Sequence, residues 1–386
     1  MRKMLFLWAI LSINWLSAQD RLSNDDTQPT EKTIDAIWEV NNWYRKADPL
    51  ERARPHVYIN DLSELEQFDP IEAERVLGMT ISIGKHVDST LMQNIVPLGK
   101  FSKLESLVIK DSPYAPYDFQ GLTKLKTLIF DYVYHLNEIP ASIGELSQLK
   151  YLLILGANKI QVLPEGIFDL EHLVALALTG VKPQGETISA KISNLQHLEY
   201  LKIGYCSFHI PDEIGALQNL RELRLANYYG YDVPTELIYQ LPKLEILGLN
   251  AFEEGQLVGI GKLQSLKVLN LSSDFMTSEI GKLTQLEGLM LRGFKGETYP
   301  EEFKDLENLK ALKIITNKSL IDAPEFIPSL SKLRHLEFRH CDKLQYFGAA
   351  YTSMKAIESI EFLYNDLIKE VPANLSNLSD KVSVKD

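Results

Sequence analysis

Apolar residues return along this chain in one short arrangement. It reads LSQLKYLLILGANKIQVLPEGIFD from Leu146, LQNLRELRLANYYGYDVPTELIYQ from Leu217 and LENLKALKIITNKSLIDAPEFIPS from Leu306. Each copy opens with apolar residues at positions one, four, seven and nine, and closes with a proline followed by an apolar residue three places on. Starts that fit are Phe101, Leu122, Leu146, Leu170, Leu195, Leu217, Leu241, Leu263, Leu283, Leu306, Leu330 and Met354, spaced 20 to 25 residues apart. Self-similarity at such a period predicts a stacked architecture, in which each unit buries its apolar face against its neighbours.

Within a copy the period switches to two. In LKYLLIL, Leu152 and Ile154 point to one side of a strand and Tyr151, Leu153 and Leu155 to the other. The first set predicts a core ladder and the second a displayed face. Two weaker units precede the twelve clear ones: Ile81 and Ile83 align with the strand pair, and Val57 and Ile59 lie 24 residues earlier. Pro140, Pro164, Pro211, Pro234, Pro300, Pro324 and Pro372 fall late in their copies. Proline cannot donate to a ladder, so these positions predict the return segment.

The ends read differently. Arg2 and Lys3, the apolar run Met4 to Leu16 and small residues at Ser17-Ala18 form a signal-peptide pattern over residues 1–18. An uncleaved anchor helix is the alternative, although the run is short for a membrane span. Residues 19–33 are polar and read as a flexible lead. Residues 34–50 place Ile34, Ile37, Trp38, Asn41 and Tyr44 at helical spacing behind Thr33, predicting a helix that caps the first repeat. The repeats run over 51–377, and the tail 378–386 offers Val382 and Val384 for a last edge strand guarded by charge.

The repeat resembles the leucine-rich repeat family, and its return motif, as in IPASIGEL and IPDEIGAL, is similar to the 23–24-residue Ras-suppressor-like class. The resemblance implies an α/β fold: a curved horseshoe solenoid with a parallel β-sheet on its concave face. It implies recognition of a protein partner through that face. The leader and plain layout resemble secreted or cell-envelope proteins of bacteria.

Composition narrows the function. The formal net charge of −12 disfavours nucleic acid, because phosphate binding needs a basic face. No apolar run beyond the leader is long enough to span a membrane. The stretch LRHLEFRHCDKL holds His335, Glu337, Arg339, His340, Cys341 and Asp342, and suggests a metal or nucleophile site. Register dissolves it: Leu333, Leu336, Phe338 and Cys341 fall on core positions, and His335, Glu337 and Arg339 on the displayed face. Glu337 is expected between Lys313 and Glu361. Two carboxylates and one histidine fall short of the three or four converging ligands a zinc site wants. No cofactor, metal or enzymatic activity is expected. Cys206 and Cys341 are the only cysteines. They sit six repeats apart, roughly 29 Å at strand spacing, whereas a disulfide needs about 7 Å. Both are expected as buried free thiols.

The displayed strand centres read Val108, Ile129, Leu153, Ala177, Lys202, Arg224, Gly248, Asn270, Met290, Lys313, Glu337 and Glu361. The first four are apolar on a face that should meet water. Tyr151, Leu155, Tyr200 and Tyr205 border them. An apolar patch with tyrosine and arginine neighbours marks an interaction surface. The predicted partner-binding set is Val108, Ile129, Tyr151, Leu153, Leu155, Ala177, Tyr200, Lys202, Tyr205 and Arg224. A cover provided by the N-terminal segment or a loop is the alternative. Tyr114, Tyr117, Tyr132, Tyr134, Tyr228, Tyr229 and Tyr231 follow the strands near one rim and offer a second possibility, a glycan-binding surface.

Overall fold

The computed structural model describes residues 56–60, 62–82, 96–110, 117–133, 136, 138–181, 188–206, 209–225, 233–251 and 253–385. The signal peptide, flexible lead and capping helix predicted over 1–50 lie outside them. The strands in chain order are β1 (His56–Ile59), β2 (Gly78–Ser82), β3 (Val96–Pro97), β4 (Ser106–Lys110), β5 (Tyr117–Asp118), β6 (Thr127–Asp131), β7 (Tyr151–Leu155) and β8 (Ala175–Thr179). Then follow β9 (Tyr200–Gly204), β10 (Glu222–Leu225), β11 (Ile246–Ala251), β12 (Val268–Ser273), β13 (Gly288–Arg292), β14 (Ala311–Ile315), β15 (His335–Arg339), β16 (Ser359–Leu363) and β17 (Val382–Lys385).

All except β3 and β5, which pair with each other, form one 15-stranded sheet in sequence order. Every pairing in it is parallel. Parallel neighbours need a crossover, and the 20- to 25-residue repeat supplies one that returns the chain a single strand further on. The edge strand β17 contains Val382 and Val384.

Ladders of like residues hold the stack together. Leu152 pairs in register with Leu128 and Leu176, and Ile154 with Phe130 and Leu178; all six are fully buried. Each such side chain contributes about 1.5–3 kcal/mol relative to exposure. Near the C-terminal end the ladder carries rings: Phe338 and Phe362 stack at 5.7 Å. The prolines mark the return. Pro140, Pro164, Pro211, Pro300 and Pro372 each immediately precede a short 3-10 helix, where a missing N–H costs nothing.

The first repeats correct the sequence register. Met79 pairs with Leu107 and Ile81 with Ile109, so the inward pair of β2 is Met79 and Ile81 rather than Ile81 and Ile83. Val57 and Ile59 align with that pair, 22 residues earlier instead of 24. Met79 and Ile83 flank Ile81 at the same parity and are both apolar, so the pattern alone does not choose between them.

The turn off each strand has a feature that composition hides. The residue after β6, β7, β8, β9, β13, β14, β15 and β16 has positive φ, being Tyr132, Gly156, Gly180, Tyr205, Gly293, Thr316, His340 and Tyr364. At Tyr132, Gly180, Gly293, Thr316, His340 and Tyr364 its N–H extends the ladder by one bond, as in Tyr132 to the Leu155 carbonyl at 2.9 Å and Thr316 to the Arg339 carbonyl at 2.7 Å; the Gly156 N–H instead donates to Thr179 Oγ1 at 3.2 Å. Five of these eight are not glycine, so no glycine period advertises the position.

Candidate functional site: the concave sheet face

Inter-strand register assembles the face. One column runs Thr80, Val108, Ile129, Leu153, Ala177, Lys202, Arg224, Gly248, Asn270, Met290, Lys313, Glu337, Glu361 and Ser383. Successive members sit about 4.8 Å apart, because that is the spacing of hydrogen-bonded strands. The column contains the predicted strand centres in the predicted order.

Its apolar end is a second hydrophobic cluster, separate from the core: Val108, Ile129, Leu153, Leu155, Ala175, Ala177 and Tyr200, with Tyr151 packed at the edge. Ala175 is absent from the predicted set because it opens β8, in register with Tyr151 and Tyr200, outside the strand-centre column. The expectation that this face meets water is corrected. Val108 is 4% exposed, Ile129 6% and Leu153 3%. Alternation assigns a side chain to a face; it does not say how deeply that face is shielded. Tyr205 does not join the cluster. It sits past the end of β9 with φ of 56°, and its position is set by the turn.

Next to the cluster the face becomes charged. Lys202 and Arg224 are Cα partners on β9 and β10. Arg224 Nε pairs with the Glu222 carboxylate, and Glu222 is the register partner of Tyr200. All three charged residues are buried. Burial, reinforced by the Arg224 charge and opposed by Glu222, pulls the Lys202 amine down to about 8. For Arg224 burial acts downward, yet the Glu222 charge, then Tyr200 and the Glu222 hydrogen bond, raise it above the usual guanidinium value.

The far end holds an ion-paired rung. Glu337 lies between Lys313 and Glu361 in register, as expected. Lys313 Nζ is 2.6 Å and Arg339 Nε 3.0 Å from its two carboxylate oxygens. Burial pushes the Glu337 carboxyl upward, but Lys313 and Arg339, by charge and hydrogen bond, leave it below the ordinary value. His335 donates to or accepts from Ser359 Oγ at 3.0 Å. His335 and Glu337 are buried and Arg339 half-buried, so the rung is less exposed than sequence alternation implied. His340 turns away and stacks on Tyr364 at 5.1 Å.

The apparent reactive cluster therefore comes apart. Cys341 and Cys206 are buried free thiols. Their sulfurs lie against backbone carbonyls, Cys206 Sγ 3.1 Å from Gly204 O and Cys341 Sγ 3.6 Å from Ile314 O. Burial pushes both thiols up to about 12, which removes the thiolate needed for nucleophilic chemistry. Among the described residues no group of three or more His, Cys, Asp or Glu could hold a metal ion. No helix among them is long and apolar enough to cross a membrane. Of the tyrosine rim, Tyr114, Tyr134, Tyr228, Tyr229 and Tyr231 lie outside the described residues, and Tyr132 occupies one of the left-handed turn positions.

A parallel sheet advanced one strand per 20- to 25-residue turn, with leucine ladders behind it, defines a leucine-rich-repeat solenoid. Comparison with known proteins agrees: a family model described as a leucine-rich repeat region matches residues 175–293. The chain is similar to the TMV resistance protein N of Nicotiana glutinosa, 26% identical over 65% of this chain and 23% of that protein. It is equally similar to the CD180 antigen of Mus musculus, 26% identical over 63% of this chain and 36% of that protein. The chain thus spans 23% and 36% of the length of these two curated relatives. Among solved structures, an internalin from Listeria monocytogenes superposes with a TM-score of 0.60 at 17% identity, covering 84% of this chain and 92% of that one. A leucine-rich-repeat protein of Leptospira interrogans superposes at 0.52 and 18% identity, covering 85% and 99%. The plant peptide hormone receptor RGFR1, in complex with RGF2, superposes at 0.51 and 20% identity, covering 86% and 54%.

Proposed function

We propose that this is an exported binding protein that recognises a protein partner through the concave sheet face, by rigid display of side chains rather than by bond making. The observation that carries the reading is the second apolar cluster. It is made of strand side chains alone among the described residues, and it lies across the sheet from the core. A core ladder needs no counterpart on the opposite face, so stability of the solenoid does not by itself call for Val108, Ile129 and Leu153. The parallel sheet fixes their spacing in advance, which lowers the ordering cost of association. Export follows from the leader pattern of residues 1–18. The plant receptor among the structural neighbours was solved in complex with RGF2, which fits a fold that presents a surface to another molecule.

The test is capture by a photo-crosslinking residue placed at Tyr151, at the edge of the cluster. The expected result is one dominant crosslinked protein, lost when Leu153 or Ile129 is replaced by Asp in variants that keep their circular dichroism spectrum. Unchanged crosslinking in both variants would contradict the reading.

A further inference from the structure

We propose that residues 34–50 of this chain lie over the apolar cluster in the free protein, and that a partner gains the concave face by displacing them. The proposal rests on the concave face being the binding surface, and names how access to that surface is regulated.

The cluster is too well shielded for a face made of strands alone. Val108, Ile129, Leu153 and Leu155 are all buried, and every described member of the cluster is a strand residue. Side chains beside one another on a sheet screen each other's flanks, but their tips need something above them. Ala177, the register partner of Leu153, is too small to screen it from that side. The same face further along supplies a control. Asn270 takes the place of Leu153 in the column, with a side chain of the same length, yet it is half-buried. Asn250 and Ser272 point to the face two residues past the column, as Leu155 does, and they too are half-buried. Sheet geometry therefore does not bury this face, and the cover over the apolar end comes from chain outside the described residues. Around the cluster Asp131, Tyr151, Tyr200, Glu222 and Arg224 each make further polar, ring or electrostatic interactions, as a covered surface does.

Reach and chemistry select residues 34–50. The main sheet begins at β1, and β4, where the cluster starts, is two strands on, about 10 Å away. Residues 51–55, which lead into β1, reach about 17 Å when extended. From β4 to β9 the cluster spans four strand steps, about 19 Å, and a helix over 34–50 is about 25 Å long. Ile34, Ile37, Trp38 and Tyr44 give that helix an apolar stripe, which this placement sets on the face rather than on the end of the first repeat. Charge agrees with the direction the connection imposes. Residue 50 comes first over the sheet and residue 34 last. Arg45 and Lys46 then fall toward β6, where Asp131 is buried, and Asp35 and Glu39 toward β9, where Lys202 is buried. The stretches 111–116, 182–187 and 226–232 have at most seven residues and are tied at both ends, too short to roof five strands. The stretch 83–95 is tied to β2 and to β3, which stands outside the main sheet.

Beyond the leader, Trp38 and Trp43 are the only tryptophans of the chain, so their fluorescence reports the segment without a label. In the exported chain free of partner, the emission should be blue-shifted and resist quenching by acrylamide. Leu153→Asp should shift it to the red and raise quenching at least threefold, with the circular dichroism spectrum unchanged. Trp38→Ser, which leaves the sheet untouched, should raise capture of the partner at Tyr151 at least threefold. A photo-crosslinking residue at Tyr151 in the free chain should join to residues 34–50. Joining instead to another loop or to a second copy would overturn the proposal. Tryptophans quenched equally in the parent and in Leu153→Asp would overturn it too, and a partner still captured would leave the binding reading standing. Shielded tryptophans, with no partner captured by the parent or by Trp38→Ser, would overturn the binding reading and leave the cover alone.

Discussion

At the scale of single residues, the face departs from what stability alone would choose. Burial and the like charge of Arg224 outweigh the Glu222 carboxylate beside the Lys202 ammonium, so Lys202→Met should raise stability by about 2 kcal/mol. The pH dependence has a definite sign. The amine is held near 8 in the fold, against 10.5 in the unfolded chain. Between those values the unfolded chain binds more protons, so the lysine-bearing protein gains stability as pH rises. The gap between parent and Lys202→Met should therefore narrow from pH 8 to 10.5, as followed by urea midpoints. Thr316 is a second such residue. It is β-branched, and its φ of 58° is a region that disfavours side chains by about 1–2 kcal/mol. Thr316→Gly should raise stability by about 1 kcal/mol, measured by denaturant unfolding. The N–H to Arg339 carbonyl bond of 2.7 Å is a backbone bond and survives the change.

At the scale of elements, neighbouring strands are tied by core rings and by charge rows. Phe338 packs against the rings of Phe347 and Phe362, which also touch each other, with no exposed surface. Phe338→Ala should cost about 3–5 kcal/mol, read as faster hydrogen exchange in β14, β15 and β16. Just before the strands, Glu245 bridges Arg221 at 2.5 Å and Lys267 at 2.8 Å. Burial acts to raise its carboxyl, but hydrogen bonds and charge from Lys267 and Arg221 leave it below 4.5. Glu337 is held low by Lys313 and Arg339 in the same way. A carboxyl depressed in the fold contributes stability that is complete above about pH 4.5 and lost as pH falls through its folded value. Urea midpoints should be flat from pH 7 to about 5 and fall below it, with a shallower fall in a Glu245→Gln variant.

At the scale of the molecule, the repeat period made the architecture legible in the sequence. Leu152 and Ile154 against Tyr151, Leu153 and Leu155 separate core from face by parity alone, and register carries that separation along the stack. Three features escaped for physical reasons. Met79 was displaced by Ile83 because two apolar residues of the same parity are interchangeable to a pattern. The left-handed turn after eight of the strands was hidden because tyrosine, threonine and histidine stand at five of those positions in place of glycine. The depth of the face was hidden because alternation gives direction and not shielding. Register also dispersed what looked like chemistry, sending Cys341 to the core and His340 to a turn.

The central claim is that the apolar cluster and its cationic neighbour form the binding face. Hydrogen exchange of the chain with and without the crosslinked partner tests it most directly. The account predicts slower exchange in β4, β6, β7, β8, β9 and β10, and unchanged exchange in the 3-10 segments of the return side. Protection confined to the return segments, with those six strands unchanged, would contradict it.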